Sequence, residues 1–333
     1  MRVLRLQSGR WFSLLGGCVL GIMLLACLGT LPYTLGTVAA SENDVGAPPR
    51  RYEATNFDHA LLPPFWAHHK IDEREKFDLA KEKDAQTPLH ILGTDRFGRD
   101  LLVRCLTGGG ISLGIGLAAA AIAIIIGTLY GAIAGYAGGR VDATMMRIVD
   151  ILYSLPYILL VVLLAVAADG LLERYAVDMS PAYRQLINVL TLLIAIGGVS
   201  WLTMARVIRG QVLSLKEQPF MEATRAVGAG LGRQFFKHLL PNLLGPIIVY
   251  TTLTVPAAIL SESFLSFLGI GVKEPLPSWG NLAADGLSEL NTVRVRWWLL
   301  LWPCLFIGIT LLSLNFLGER LRQTFDPKWR TKN

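Results

Sequence analysis

Six stretches of the chain run without a single Asp, Glu, Lys or Arg: residues 11–40, 105–139, 151–168, 186–205, 238–261 and 297–318. A bilayer core of about 30 Å needs roughly 20 apolar helical residues, so each stretch predicts a transmembrane helix. The third is near the lower limit. The second exceeds the requirement and is expected to include an interfacial or loop portion. The predicted fold class is therefore an all-α integral membrane protein of six transmembrane helices. The predicted division is residues 1–41 (N-terminus and first span), 42–104 (external segment), 105–318 (five-helix core) and 319–333 (tail). Arg2, Arg5 and Arg10 ahead of the first run, and Val38-Ala39-Ala40 behind it, resemble a secretory signal. Its apolar part is longer than the 7–15 residues typical of such signals, so a retained span is expected.

Charge placement orients the bundle. With a cytoplasmic N-terminus, the inner segments 1–10, 140–150, 206–238 and 319–333 hold 16 basic and 6 acidic residues, and the outer ones hold 15 basic and 19 acidic. Basic residues favour the cytoplasmic side. An even number of spans keeps the tail residues Arg320, Arg322, Lys328, Arg330 and Lys332 there as well. Both termini are thus expected in the cytoplasm. Composition agrees: AVILMFWYC make up 53% and DEKR only 17%, against about 25% charged in soluble domains. The external segment 42–104 opens with Pro48-Pro49, and Ile71 to Lys83 mixes charges as an exposed helix would.

The runs contain no charge, which argues against a proton-coupled pump, and no general acid or base that would serve an intramembrane hydrolase. The pair Gly-Lys never occurs, so a phosphate-binding Walker motif is absent. No catalytic residue is singled out. His59, His68, His69 and His90 share the external segment, but their spacing fits no metal pattern. The four cysteines lie in or beside apolar runs and read as fillers. Gly127, Gly131 and Gly135 share one helical face. Small residues at this spacing permit close helix approach, either inside the bundle or between subunits. Pro156, Pro256 and Pro303 permit kinks.

The inner loop 206–238 is basic. Pro219 suits a helix's first position and Glu222 its positive end. Gly228 and Gly230 suit a stop at positive φ. A second helix is expected from about Leu231 to Leu240, ended by Pro241. Phe220, Ala223 and Val227 share a face. The loop reads either as a rigid knob for a partner's groove or as an amphipathic segment on the membrane surface. After the fifth span, Ser261, Glu262 and Ser263 begin a turn-rich segment to Gly271, read as a candidate external gate or as a re-entrant packing loop. Thr94 or Asp95 is expected to cap the helix entering the second span, with Arg99 and Asp100 at the headgroups.

The stretch MEATRAVGAGLGRQFFKHLLPN (residues 221–242) resembles the EAA motif of inner-membrane permease subunits of ABC importers, with Glu222, Ala223, Gly228, Leu240 and Pro241 at motif positions and Thr224 in place of the usual second alanine. LGTDRFGRDLL (92–102), GYAGGRVDATMMRIVDILYSLP (135–156), SFLSFLGIGVKEPLPSWGNL (263–282) and LGERLRQTFDP (317–327) resemble the C-type permeases of the dipeptide/oligopeptide/nickel group. The resemblance implies a type I permease bundle in the cell inner membrane and a homologous B-type permease partner. It also implies two ATP-binding cassette subunits docked on the EAA loops and an external solute-binding protein. ATP and Mg are then handled by the partner subunits, with no cofactor on this chain and no nucleic-acid role. The competing class is an ion-coupled secondary transporter or channel without ATPase partners.

Overall fold

The computed structural model describes residues 2–38, 48–67, 90–175, 180–290 and 295–325, with positions 74 and 78. Most of 71–83, including the expected charged helix, lies outside the described residues, as do His68 and His69. The long elements are α1 (Arg2–Gly29), α2 (Leu101–Ala137), α3 (Gly139–Tyr153), α4 (Tyr157–Tyr175), α5 (Pro181–Lys216), α6 (Pro219–Ala226), α7 (Leu240–Phe267), α8 (Trp279–Ser288) and α9 (Trp297–Phe325). Five helical stretches are long and apolar enough to cross a membrane. Six are, if α3 and α4 are one span bent by 87°.

Helix α2 is the centre of the bundle. Its length comes from an unbroken run of apolar and small residues, and its start is fixed by Asp100, whose carboxylate accepts from the Val103 N–H at 3.1 Å. One continuous helix replaces the expected interfacial portion of the second run. Asp100 takes the capping role expected of Thr94 or Asp95. The small-residue face of α2 packs on α5. A Cβ on Gly127 would meet the Trp201 carbonyl at 2.8 Å, one on Gly131 would run into the Ala205 carbonyl, and one on Gly135 would stand 2.9 Å from the Arg209 carbonyl. The seam is internal to this chain, so side-chain atoms inserted there overpack at a cost of about 1–3 kcal/mol. Gly131→Val is expected to lower the unfolding temperature in detergent. Gly114→Ala, whose Cβ has open space, serves as the control that leaves it unchanged.

Several element ends differ from the sequence expectation, for one shared reason: a charge with a partner in the fold does not end a helix. Helix α2 starts before Arg104, α5 runs on through Arg206, Arg209 and Lys216, and α7 runs through Glu262 to Phe267. The segment assigned as a loop over 206–238 is therefore helical as far as Lys216. Residues 140–150, read as an inner loop, are helical in α3, which with α4 makes either one broken span or a re-entrant turn. Pro241 does not end a helix. Residues Gln234–Leu239 form a π-helical turn that runs into α7. The wider i→i+5 pairing relieves the clash a proline makes with the carbonyl four residues back.

The described part of 48–100 is a folded cap over the ends of α1, α2 and α9. Tyr52 and Leu62 are buried. Thr94 Oγ1 donates to the His59 carbonyl at 2.6 Å and accepts from the Leu62 N–H at 2.8 Å. Trp298, at the start of α9, is buried with Leu92, Leu101, Cys105 and Leu282. Helix α8 starts with a reciprocal cap between Ser278 and Asn281 and buries Trp279, whose indole donates to the Cys105 carbonyl at 2.9 Å. Large apolar side chains such as Ile125, Leu129, Ile133, Leu163 and Ile194 remain exposed on the flanks, as lipid-facing positions do.

Candidate functional site

The loop between α5 and α7 presents a short exposed helix on a fixed base. Pro219 stands in the first turn of α6, where its missing N–H has no helical acceptor. Met221 points the other way and is fully buried among Ala132, Met204, Ile208, Val212, Leu239 and Leu243. Lys216 Nζ donates to the carbonyls of Gly135 and Tyr136 at 3.2 and 2.7 Å, satisfying carbonyls left open at the C-terminus of α2. Gln234 accepts from the Tyr136 hydroxyl at 2.5 Å and donates to the Ala229 carbonyl at 2.6 Å. Helix α6 is thereby tied to α2, α5 and the π-helical turn.

The outward face carries Glu222, Ala223, Arg225, Ala226 and Val227, all exposed, with Val227 at 86%. Phe220, Ala223 and Val227 are all exposed, as the shared-face reading required, and Leu231 and Phe236 extend the apolar surface. Thr224 turns its hydroxyl back to the Phe220 carbonyl at 2.7 Å, so the substituted position adds no free donor to the face. Gly228 has φ +74° and Gly230 has φ −65°. Only Gly228 needs the left-handed conformation, and its N–H donates to the Arg225 carbonyl at 2.9 Å. Leu240 is half-buried and Pro241 exposed at the start of α7.

Behind this knob, α5 is clamped to α3. Arg209 holds Asp142 through two hydrogen bonds of 2.5 and 2.6 Å, the fork geometry that makes arginine–carboxylate pairs strong. One turn away, Arg206 donates to Asp150 at 2.9 Å and lies 4.1 Å above the Tyr153 ring. These contacts connect α5, which leads into the knob, to the end of α3 just before its break with α4.

Ser261, Glu262 and Ser263 are helical, not turn-rich. They belong to the last turns of α7, and Glu262 is 0% exposed. Ser266 Oγ donates to Glu262 Oε1 at 2.8 Å and accepts from the Val272 N–H at 3.0 Å. The carboxyl therefore holds the chain reversal that follows the helix. Arg99, expected at the headgroups, is instead buried, and with buried Arg104 it shares Asp95, with Glu274 second; Asp100 caps α2. Burial pushes the Asp95 carboxyl up, and Arg104 pulls it back down. His90 contacts Asp100 at 2.8 Å and His59 at 3.3 Å. Among the described residues no group of three potential metal ligands occurs.

Sequence reasoning did not find a cavity of about 460 Å³ between the α3–α4 break, α5 and α7. Its walls come from three separate stretches, and only the hydroxyl residues Ser200, Thr203 and Thr254 inside apolar runs signal it.

Residues 127–331 match the family described as binding-protein-dependent transport system inner membrane component. The oligopeptide transport system permease protein OppC of Haemophilus influenzae is 46% identical over 241 residues, 72% of this chain and 71% of that protein. The dipeptide transport system permease protein DppC of Bacillus subtilis is 42% identical over 274 residues, 82% of this chain and 79% of that protein. Escherichia coli OppC is 44% identical over 270 residues, 81% and 82% respectively. An inward-facing structure of the MetNI methionine ABC transporter has a TM-score of 0.48 at 18% identity, covering 66% of this chain and 95% of that one.

Proposed function

The chain belongs to the binding-protein-dependent transport system inner membrane components, and from that premise we propose that it is the permease subunit of an ATP-driven peptide importer, coupled to ATPase subunits through α6. The observation that carries this reading is the rigid, exposed α6 knob on a base of buried Met221 and the Lys216 and Gln234 bonds. Such a helix moves as one body with α2 and α5 when a partner pushes it. Glu222 supplies a charge-assisted contact to the partner, Val227 an apolar one, and Gly228 the close turn. Leu240 and Pro241 set the exit into α7. The named peptide permeases among the relatives support dipeptides or oligopeptides as the solute class.

The complete assembly contains a homologous B-type permease, two ATP-binding cassette subunits and an external solute-binding protein. ATP and Mg act on the cassette subunits, and this chain supplies the passage. The basic bias of the inner segments supports cytoplasmic N- and C-termini, with residues 42–104 and α8 on the outer side. The Arg209–Asp142 and Arg206–Asp150 contacts carry displacement of α5 to the broken span, so inward- and outward-open states differ by rigid-body motion.

The test is reconstitution in proteoliposomes. The complete complex is expected to accumulate labelled trialanine only with ATP inside the compartment that holds the cassette subunits. The chain alone is expected to accumulate none. Uphill uptake by the chain alone, driven by a proton or sodium gradient, would establish the secondary-transporter reading instead.

A further inference from the structure

The cavity at the α3–α4 break is built to meet a peptide backbone. We infer that it is this chain's solute-contact surface and that it recognises amide groups, not side-chain charge; the inference rests on the peptide-importer reading above. Its lining includes Tyr153, Tyr157, Ser200, Thr203, Tyr250 and Thr254, and none of the described residues lining it is Asp, Glu, Lys, Arg or His.

Two independent features give the cavity hydrogen-bonding groups beside its apolar wall of Leu152, Leu155, Val199, Leu202, Leu253 and Ala257. The first is backbone. Residues 154–156 are non-helical and exposed between two helices meeting at 87°. Leu155, within this irregular backbone, and Tyr157, just after it, line the cavity. The first N–H groups of α4 have no helical acceptor, so the break supplies donors.

The second feature is the proton count of the hydroxyls. Ser200 Oγ donates to the Ile196 carbonyl and Thr254 Oγ1 to the Tyr250 carbonyl, each at 2.8 Å. Each hydroxyl has one proton, so these two present lone pairs. The Tyr157 oxygen stands 3.1 Å from Ser200 Oγ, at the edge of the break. Donors from the break and acceptors from α5 and α7 complement the C=O and N–H of an amide. A wall without fixed charge does not discriminate among the side chains that the amides carry.

The experiment uses the complete complex with Cys18→Ser and Cys304→Ser, which removes the two exposed thiols and leaves buried Cys27 and Cys105. In that background Ser200→Cys and Thr254→Cys are expected to react with the hydrophilic cation 2-aminoethyl methanethiosulfonate, and trialanine is expected to slow the reaction. Ser200→Ala and Thr254→Val are expected to raise the trialanine KM about two- to tenfold each, the loss of one hydrogen bond, with maximal ATP turnover kept. Thr203→Asp, at an exposed position, is expected to shift uptake toward lysine-containing and away from glutamate-containing tripeptides. Cysteines that react only with a lipid-soluble maleimide, or with neither reagent, place lipid or the partner permease in the cavity and overturn the inference. So does an unchanged Lys/Glu preference. A complex that transports trialanine with unreactive cysteines sinks the cavity assignment alone. Reactive cysteines that trialanine never protects, in a complex that does not transport it, sink the peptide reading and the inference with it.

Discussion

Gly228→Leu is expected to abolish ATP-coupled uptake while leaving the permease folded. The residue holds φ +74°, and a Cβ there would have no atom within 4 Å. A leucine meets no clash inside this chain. Its local cost is the left-handed backbone, about 1–2 kcal/mol, confined to an exposed turn. What it changes is the outline of the exposed face proposed for docking, where a branched side chain now stands beside Val227. A lost interface hot spot of about 2 kcal/mol weakens association roughly thirtyfold. The measurement pairs cassette-subunit retention on size-exclusion chromatography with ATP-dependent trialanine uptake. Gly228→Ala should lose less of both, because it shares the backbone cost without the bulk. Glu222→Ala should weaken retention, and Glu222→Gln should recover part of it by keeping the hydrogen-bonding shape. Normal retention and uptake in Gly228→Leu would remove α6 from the interface.

Much of this architecture is legible from the position of charges. The six apolar runs find α1, α2, α4, α5, α7 and α9 but miss α3 and α8, and the motif around Glu222 finds the knob, because both depend on residues close in sequence. The errors have a common physical origin. Arg104 and Glu262 are fully buried, and Arg209 is stapled to Asp142 sixty-seven positions away. A charge given partners by the fold sits inside a helix that a charge-free window cuts short. Pro156 signals a break, but whether the chain bends by 10° or 87° depends on what α5 and α7 leave open beside it. The cap is similarly hidden. Gly98, at φ +72°, packs so closely on the Asn56 carbonyl that no Cβ fits, and such backbone contacts leave no hydrophobic period to read. The seam glycines announce a close approach, yet only the Trp201, Ala205 and Arg209 carbonyls identify α5 as the partner.

Asp95→Ala is expected to have the largest effect on stability, and on the side opposite to the knob. Asp95 Oδ2 accepts from Arg99 Nε at 2.6 Å and from Arg104 Nη1 at 2.5 Å, while its Oδ1 accepts from the Phe97 and Arg99 N–H groups at 2.9 Å. Arg104 is 0% exposed. The other carboxylate, Glu274, is half-exposed and reaches both guanidinium groups only at 3.3 and 3.4 Å. Removing Asp95 therefore leaves two buried cations with one weak partner, and stripping one member from a buried ion pair costs about 3–5 kcal/mol. Asp95→Asn keeps an acceptor for the two N–H groups and should lose less. Glu274→Gln should lose least. Pairing Asp95→Asn with Arg104→Met removes the orphaned cation and should recover part of the loss, the signature of a coupled pair. Unfolding temperature in detergent and protease sensitivity within residues 48–100 read these effects. Cassette-subunit retention should survive in Asp95→Asn, since α6 rests on Met221, Lys216 and Gln234 at the other end of α2 and α5. Loss of retention with an intact cap would mean that the two ends are coupled through α2, and equal stability of all four variants would mean that the buried network contributes nothing to the fold.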